Sequence, residues 1–433
     1  MFRKRIQLGL LHMAVAMTLV PINSTLNRVM IKELAISATL VALLASLPYL
    51  FSPIQVAIGS FADRHPLWGM RRTPYILIGL LLCVLGVVIA PYAAFLMAET
   101  FWAGLLLGLF AFGAWGMGYN LSSVSYLSLA SELSGEKNRS KTIAVMFFMM
   151  ISSIIFTAIG LSRLVDPYTP QALVGAFRIV GLAALILGLV GLLRLEERHP
   201  ARQSSGGENY TWAALGRFVF GNRQARLFFI YLTILLAAIL GQDILLEPFG
   251  AEAFGLSVRD TTRITSVWGT CVLLALAVAG ALEGRLPKRL VAQSGGWTAL
   301  AGFVVITVSG FIHSLTVFYS GVVLLGLGTG LATVSNLSLM LDMTTAGSVG
   351  LYIGAWGMAN AFSRLIGSLL GGALRDTVTQ LVNNPVTGYL SVFGVEALLL
   401  LASLWMLTRI DVGAFRQQAQ KQMSVLERAA MME

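Results

Sequence analysis

Charge is scarce in this chain. Asp, Glu, Lys and Arg make up 12% of its 433 residues, against 57% hydrophobic. Soluble domains carry roughly twice that share of charge, so the composition argues against a water-soluble protein. Cysteine is nearly absent. Cys83 and Cys271 lie inside apolar runs without metal-ligand spacing, which leaves no basis for a disulfide framework or a zinc site. There is no His-Glu-x-x-His pattern, no nucleophile–base set and no phosphate-binding loop. Nothing supports an enzyme or ATP-driven transport, and neither a nucleotide nor a structural metal is expected. Gly326-Leu327-Gly328-Thr329-Gly330 looks like half a dinucleotide fingerprint. It lies in an apolar run with no strand before it, so it reads as helix packing.

What is abundant is apolar sequence in lengths that match a bilayer. About 20 apolar residues cross the hydrocarbon core, and such runs recur from Leu8 to Arg409. Spans are expected at 6–28, 35–60, 73–95, 101–129, 142–163, 173–194, 225–246, 264–283, 292–312, 316–340, 350–372 and 388–409. The first run follows Arg3-Lys4-Arg5 with no small-residue cleavage site in reach, so it reads as a span rather than a removable signal.

The net charge of +10 does not indicate nucleic acid. About 22 of the 30 Lys and Arg residues collect on alternate links between spans, which marks that side as cytoplasmic. Both termini are then cytoplasmic. The links on the other side are shorter and neutral or acidic, such as Asp166-Pro167-Tyr168-Thr169-Pro170.

The longest polar break divides the chain into an N-terminal six-helix half (1–195), a cytoplasmic linker (196–224), a C-terminal six-helix half (225–410) and a tail (411–433). The halves repeat. Asn23–Arg28 aligns with Asp243–Pro248, and Leu127–Glu132 with Leu337–Asp342, which sets Gly116 and Gly118 on Gly326 and Gly328. Duplicated six-span halves are the construction of the major facilitator fold, with its binding site between the halves. The expected class is therefore an all-α integral membrane protein with twelve transmembrane helices in two pseudo-symmetric six-helix halves. In the tail, Val412, Phe415, Ala419, Met423, Leu426 and Ala430 recur at helical spacing. That pattern reads as an amphipathic helix on the cytoplasmic face, a partner surface, or chance periodicity in a solvated tail.

Gly59-Ser60-Phe61-Ala62-Asp63-Arg64, then Gly69-Met70-Arg71-Arg72, resembles the major facilitator loop signature with about three extra residues inserted before Gly69. Its chemistry is a charge clamp, in which Asp63 caps a helix N-terminus or pairs with an arginine. The bland alternative is a plain positive-inside loop. Three further stretches narrow the resemblance: Thr18-Leu19-Val20-Pro21-Ile22-Asn23-Ser24-Thr25-Leu26-Asn27-Arg28-Val29-Met30, Gln242-Asp243-Ile244-Leu245-Leu246-Glu247-Pro248-Phe249-Gly250 and Gly354-Ala355-Trp356-Gly357. Over roughly residues 5–410 the chain resembles the PucC-like, bacteriochlorophyll-delivery branch of the major facilitators, with a cyanobacterial cast. The resemblance implies supply of chlorophyll or bacteriochlorophyll to light-harvesting complexes. The implied location is a thylakoid or intracytoplasmic membrane, and the implied partners are lipid, antenna or photosystem proteins and chlorophyll-synthesis enzymes.

The residues themselves mark four places. Asn23, Ser24, Thr25, Asn27 and Arg28 in span 1 face Gln242, Asp243 and Glu247 in span 7 by the repeat. Arg28 is expected to neutralise Asp243 or Glu247, either closing an outer gate or contacting ligand. Glu132 and Asp342 end spans 4 and 10. Glu132 is expected to face Arg285, Lys288 and Arg289, and Asp342 the loop from Asp63 to Arg72, unless both are solvated end charges. With Gly59, Asp63, Arg64, Gly69, Arg71 and Arg72 they would form a cytoplasmic gate. His12 is the one histidine well inside a span and the candidate axial ligand for a pigment magnesium; a packed core histidine is the commoner case. Sparse mid-span charge suits a large lipophilic ligand. Three functions compete: pigment delivery, proton-coupled export of a small amphipathic molecule, and a non-transporting scaffold for nascent antenna proteins. An acid in the middle of span 1 or 4 would favour the exporter, and none is present there.

Overall fold

The structure, a computed structural model, describes residues 2–196, 223–282, 285–342 and 349–411. The linker and the tail expected at 196–224 and 411–433 fall outside these residues except at their edges. Among the described residues there are helices and no strands. Ten helices of the described residues are long and apolar enough to cross a bilayer: span 1 (Phe2–Glu33), span 3 (Thr73–Glu99), span 4 (Phe101–Ser134), span 5 (Lys141–Leu164), span 6 (Pro170–Leu192), span 7 (Arg223–Ile244), span 8 (Val258–Ala281), span 9 (Lys288–Ile312), span 10 (Leu315–Met340) and span 12 (Pro385–Thr408). Two more complete the twelve. Span 2 is assembled from Ala38–Ala45, Leu47–Leu50 and Ile54–Arg64, broken where Pro48 and Pro53 withhold an amide donor. Span 11 is Val349–Val382. It runs past the expected end at residue 372, because the polar turn at Arg375-Asp376 that ends the hydropathic run has partners in the other half.

Helical hydrogen bonding continues through Phe101–Leu164, yet the chain turns back on itself there. Ser134 Oγ donates to Thr142 Oγ1 at 2.8 Å, whereas eight residues of straight helix would separate them by about 12 Å. Spans 4 and 5 are thus separate crossings, and the rings of Tyr126 and Phe147 both reach His12.

Spans 1 and 7 depart from regular α-helix at corresponding places. After Phe2–Met17, span 1 widens into π-turns at Pro21–Leu26 and Val29–Glu33. Pro21 cannot donate to the carbonyl of Met17, and the widened turns re-pair the freed groups. Span 7 breaks after Gly241 into a 3₁₀ turn at Gln242–Ile244, then resumes as Leu246–Phe254 with Pro248 in its first turn. The repeat is also visible in packing. A Cβ on Gly118 would lie 2.5 Å from the carbonyl oxygen of Gly79 in span 3, and one on Gly328 would lie 2.3 Å from the amide of Ala299 in span 9. Each glycine lets one antiparallel pair approach closely. Gly326 and Gly330 face span 8 instead, so the apparent dinucleotide motif packs one helix between two others.

The halves meet along spans 2 and 11 and along spans 5 and 8. Large apolar side chains such as Leu106, Phe156, Leu182, Phe311, Leu370 and Trp405 point outward and are exposed, as a lipid-facing surface requires.

Candidate functional site

The groups that tie the halves together gather at the end away from the basic loops. Asp376, near the end of span 11, accepts from the backbone amides of Ala38 (3.1 Å) and Thr39 (2.8 Å) and from Thr39 Oγ1 (2.7 Å). A residue of one half thus caps a helix of the other, where the N-terminal amides and the helix dipole favour a carboxylate. Arg375 pairs with Asp376 at 2.9 Å. Gly372 allows the approach, since a Cβ there would lie 2.8 Å from the carbonyl oxygen of Ala38. The pseudo-symmetric position, between the end of span 5 and the start of span 8, carries the pair Asp166–Arg259. Lys32 and Glu252 join spans 1 and 7 at 2.7 Å.

One layer deeper lie the polar residues marked in spans 1 and 7. Ser24 donates to Glu247 Oε1, which also accepts from Thr265 Oγ1 of span 8 at 2.6 Å. Thr25 and Thr262 hydroxyls meet at 3.0 Å. Glu247 is 3% exposed, and its Oε2, with Asn27 Oδ1 and Gln242 Oε1, has no partner among the described residues. Asn27 Nδ2 bonds back to the carbonyl of Asn23 at 3.0 Å. The structure brings this constellation together with different pairings from those the repeat suggested. Arg28 pairs with Glu33 and donates to the Leu256 carbonyl at 3.2 Å, rather than to Asp243 or Glu247. The i→i+5 turns at the end of span 1 set residue 33 over residue 28 and turn the guanidinium toward the loop.

Asp243 has a partner that sequence reading missed. Arg364 Nη1, in span 11, lies 2.8 Å from Asp243 Oδ2 and 3.4 Å from the hydroxyl of Tyr49 in span 2, with Arg364 Cζ 5.5 Å from the Tyr49 ring centre. Arg364 is about 22 Å from one end of its helix and about 27 Å from the other. Its side chain nonetheless keeps 29% of its surface accessible, and that of Asp243 keeps 23%. Such accessibility in mid-span, between residues of both halves, means that the pair lines a cavity rather than packed core. Glu396, midway along Pro385–Thr408, lies against Gly241 beside this pair. It is 4% exposed, and its Oε2 has no partner among the described residues. Isolated charges inside apolar runs were the available signal for Arg364 and Glu396.

At the basic end, Leu67 and Met70 exchange backbone hydrogen bonds at 3.0 and 2.9 Å around Trp68 and Gly69, both with positive φ. This tight turn absorbs the extra loop residues and explains the glycine at 69. The carboxylate of Glu196, after span 6, accepts from the amides of Arg71 (2.8 Å), Arg72 and Thr73 (2.7 Å). At span 3 the helix-capping carboxylate is therefore that of Glu196. Arg72 donates through Nε and Nη2 to Glu132, at 3.2 and 3.0 Å. Glu132 was expected opposite Arg285, Lys288 and Arg289. It pairs within its own half because spans 3 and 4 are antiparallel neighbours whose basic ends coincide. Arg289 instead caps the end of span 12 through the carbonyls of Leu407 and Thr408, at 3.0 and 2.6 Å. Arg64 is exposed. Gly59 lies in the helix Ile54–Arg64; its surroundings and the side chains of Asp63 and Asp342 are not among the described ones.

His12 is 6% exposed and is held between Tyr126 and Phe147, each ring centre 5.1 Å away. Its Nδ1 has no partner among the described residues.

Twelve crossings in two pseudo-symmetric halves, joined at one end and holding charged groups where the halves meet, define a multi-pass membrane protein of the major facilitator fold. Solved transporters share it. The nucleoside transporter NupG superposes with a TM-score of 0.72 at 15% identity, covering 94% of this chain and 99% of that one. The peptide transporter POT superposes at 0.71 and 12% identity, covering 95% of each. Within this class the chain belongs to the PUCC protein family, whose profile matches residues 25–415. It is 30% identical to Protein PucC of Rhodobacter capsulatus over 92% of this chain and 90% of that one. It is 28% identical to a protein of the same species named Bacteriochlorophyll synthase 44.5 kDa chain, over 93% and 94%.

Proposed function

We propose that this protein binds chlorophyll-type pigment in a photosynthetic membrane and delivers it for assembly of light-harvesting or photosynthetic complexes. Membership of the PUCC family over nearly the whole chain carries this reading. Physical chemistry supports it. A tetrapyrrole with a long hydrocarbon tail needs an apolar groove continuous with lipid, and a cleft between six-span halves offers one. The clustered Lys and Arg residues support a cytoplasmic side for the basic loops and both termini, the side from which a pigment would then enter a cleft between the halves. The synthase-chain name belongs to that relative, and PUCC membership supports reading this chain as a non-enzymatic membrane protein.

The test is spectroscopic and genetic. Protein purified in mild detergent from a pigment-making host should carry a Soret band and a red band in near-stoichiometric amount, and its deletion should lower antenna complexes while pigment synthesis continues. Colourless protein together with normal antenna levels would overturn the proposal. One observation favours a second reading, a proton-coupled exporter of an amphipathic molecule: acids do occupy the interior, in spans 7 and 12 rather than 1 or 4.

A further inference from the structure

The Arg364 guanidinium is only half used by the protein. Nη1 holds Asp243 and touches the Tyr49 hydroxyl. Nε and Nη2 have no acceptor among the described residues, and neither is sealed from the accessible space around it. Those two N–H groups form one edge of the guanidinium fork, the edge that receives both oxygens of a carboxylate. Gln242 Nε2 donates to the remaining Asp243 oxygen at 3.1 Å, so Asp243 is held in place and does not compete for that edge. The Tyr49 ring beside the guanidinium, and Tyr119 near both of them, supply flat apolar surface next to the charge. A positive fork with a free edge, beside aromatic faces and inside an otherwise apolar bundle, selects a molecule that is mostly apolar and carries one anionic end.

We propose that Arg364 anchors the carboxylate of an amphipathic ligand through its Nε–Nη2 edge. Combined with the pigment reading, on which this identification of the ligand rests, the preferred form is a free-acid tetrapyrrole rather than its long-chain ester. Esterification removes the charge and one of the two oxygens that the fork engages. This chain would then take the pigment before the esterification step, or after loss of the alcohol, and the class of reaction adjoining it is ester formation or hydrolysis at that carboxyl group.

The experiment measures binding of three probes to the purified full-length protein in detergent: chlorophyllide a, chlorophyll a and oleate. Each is titrated against the parent, Arg364→Gln and Asp243→Asn. Chlorophyllide a should bind the parent more tightly than chlorophyll a. Arg364→Gln should weaken chlorophyllide a about tenfold or more, the usual value of charge-assisted hydrogen bonds, with little change for chlorophyll a. Asp243→Asn removes the negative charge beside the fork and should tighten chlorophyllide binding a few-fold. That direction separates a ligand anchor from a structural ion pair, whose loss in either variant would weaken binding alike. Arg364-dependent binding of oleate without either pigment would keep the anchor and remove the pigment reading. If both pigments bind and Arg364→Gln alters neither, the anchor is overturned and the pigment reading stands. If none of the three binds, both fall.

Discussion

The carboxylate of Asp376 accepts the backbone amide of Thr39 at 2.8 Å, across the boundary between the two halves. Helices usually supply their own caps. Here the first turn of span 2 takes its carboxylate from span 11, although Ser37 also accepts from Leu40 at 3.3 Å. The bond lasts only while this end of the molecule is closed, so the cap is also a latch. Asp376→Ala should cost about 1 kcal/mol of closure, the usual worth of a cap. Protein lacking Cys83 and Cys271, with a single cysteine in place of the buried Leu26, should then be labelled several-fold faster by a water-soluble maleimide. An unchanged rate would show that Asp376 has no part in closure.

Glu247 bridges the halves by hydrogen bonding rather than by an ion pair, since both hydroxyl donors converge on Oε1. Glu247→Gln keeps an acceptor oxygen and should leave the melting temperature in detergent within a few degrees of the parent. Glu247→Ala takes the acceptor from the buried Ser24 and half-buried Thr265 hydroxyls and should cost about 1–3 kcal/mol. Equal losses in the two variants would mean that charge, not acceptance, is what matters there.

Much of this was legible from sequence, and the limits have physical causes. Twelve apolar runs of bilayer length dictate twelve crossings, because an unpaired backbone is not tolerated in lipid. The repeat placed Ser24 and Glu247 on symmetry-related segments, and they do meet. The repeat could not assign partners. Asp243 is held by Arg364 from span 11, and no periodicity links residues so distant in sequence. Arg28 turned to Glu33 because π-turns changed which residues share a face, a local irregularity that Pro21 hints at but does not specify. Glu196 was counted as linker because its capping role depends on the end of span 6 folding back beside Arg71–Thr73.

That cap makes its own prediction. Glu196 holds the first turn of span 3, whereas Glu132 holds only the Arg72 side chain. Glu196→Ala should speed hydrogen exchange at the amides of Arg71–Thr73 by about fivefold or more, in keeping with a lost cap of about 1 kcal/mol. Glu132→Ala should leave those amides protected. Similar exchange in both variants would remove the capping role.

Charge asymmetry sets the orientation. Reporter fusions within 200–215 and at the C-terminus should both report cytoplasm, because the links on that side carry most of the Lys and Arg. A linker that reports the opposite side would invert the proposed direction of delivery.

Carrier and scaffold part company at Glu396. A buried carboxyl with one unpartnered oxygen is a burden on folding, and the surrounding packing of span 12 against span 7 would accept an apolar side chain of similar size. A scaffold that only holds nascent antenna helices has no use for such a group in the middle of the bundle. A carrier does, because a carboxyl beside the Asp243–Arg364 pair can exchange a proton as the pair engages and releases its ligand. Glu396→Leu should therefore melt at or above the parent temperature in detergent. Glu396→Gln, which keeps size and polarity but cannot lose a proton, should melt close to the parent. Under the carrier reading both variants fail to restore antenna complexes in a deletion strain. Under the scaffold reading both restore them fully. Restoration by Glu396→Gln but not by Glu396→Leu would assign Glu396 a hydrogen-bonding role in ligand binding and exclude it from proton exchange.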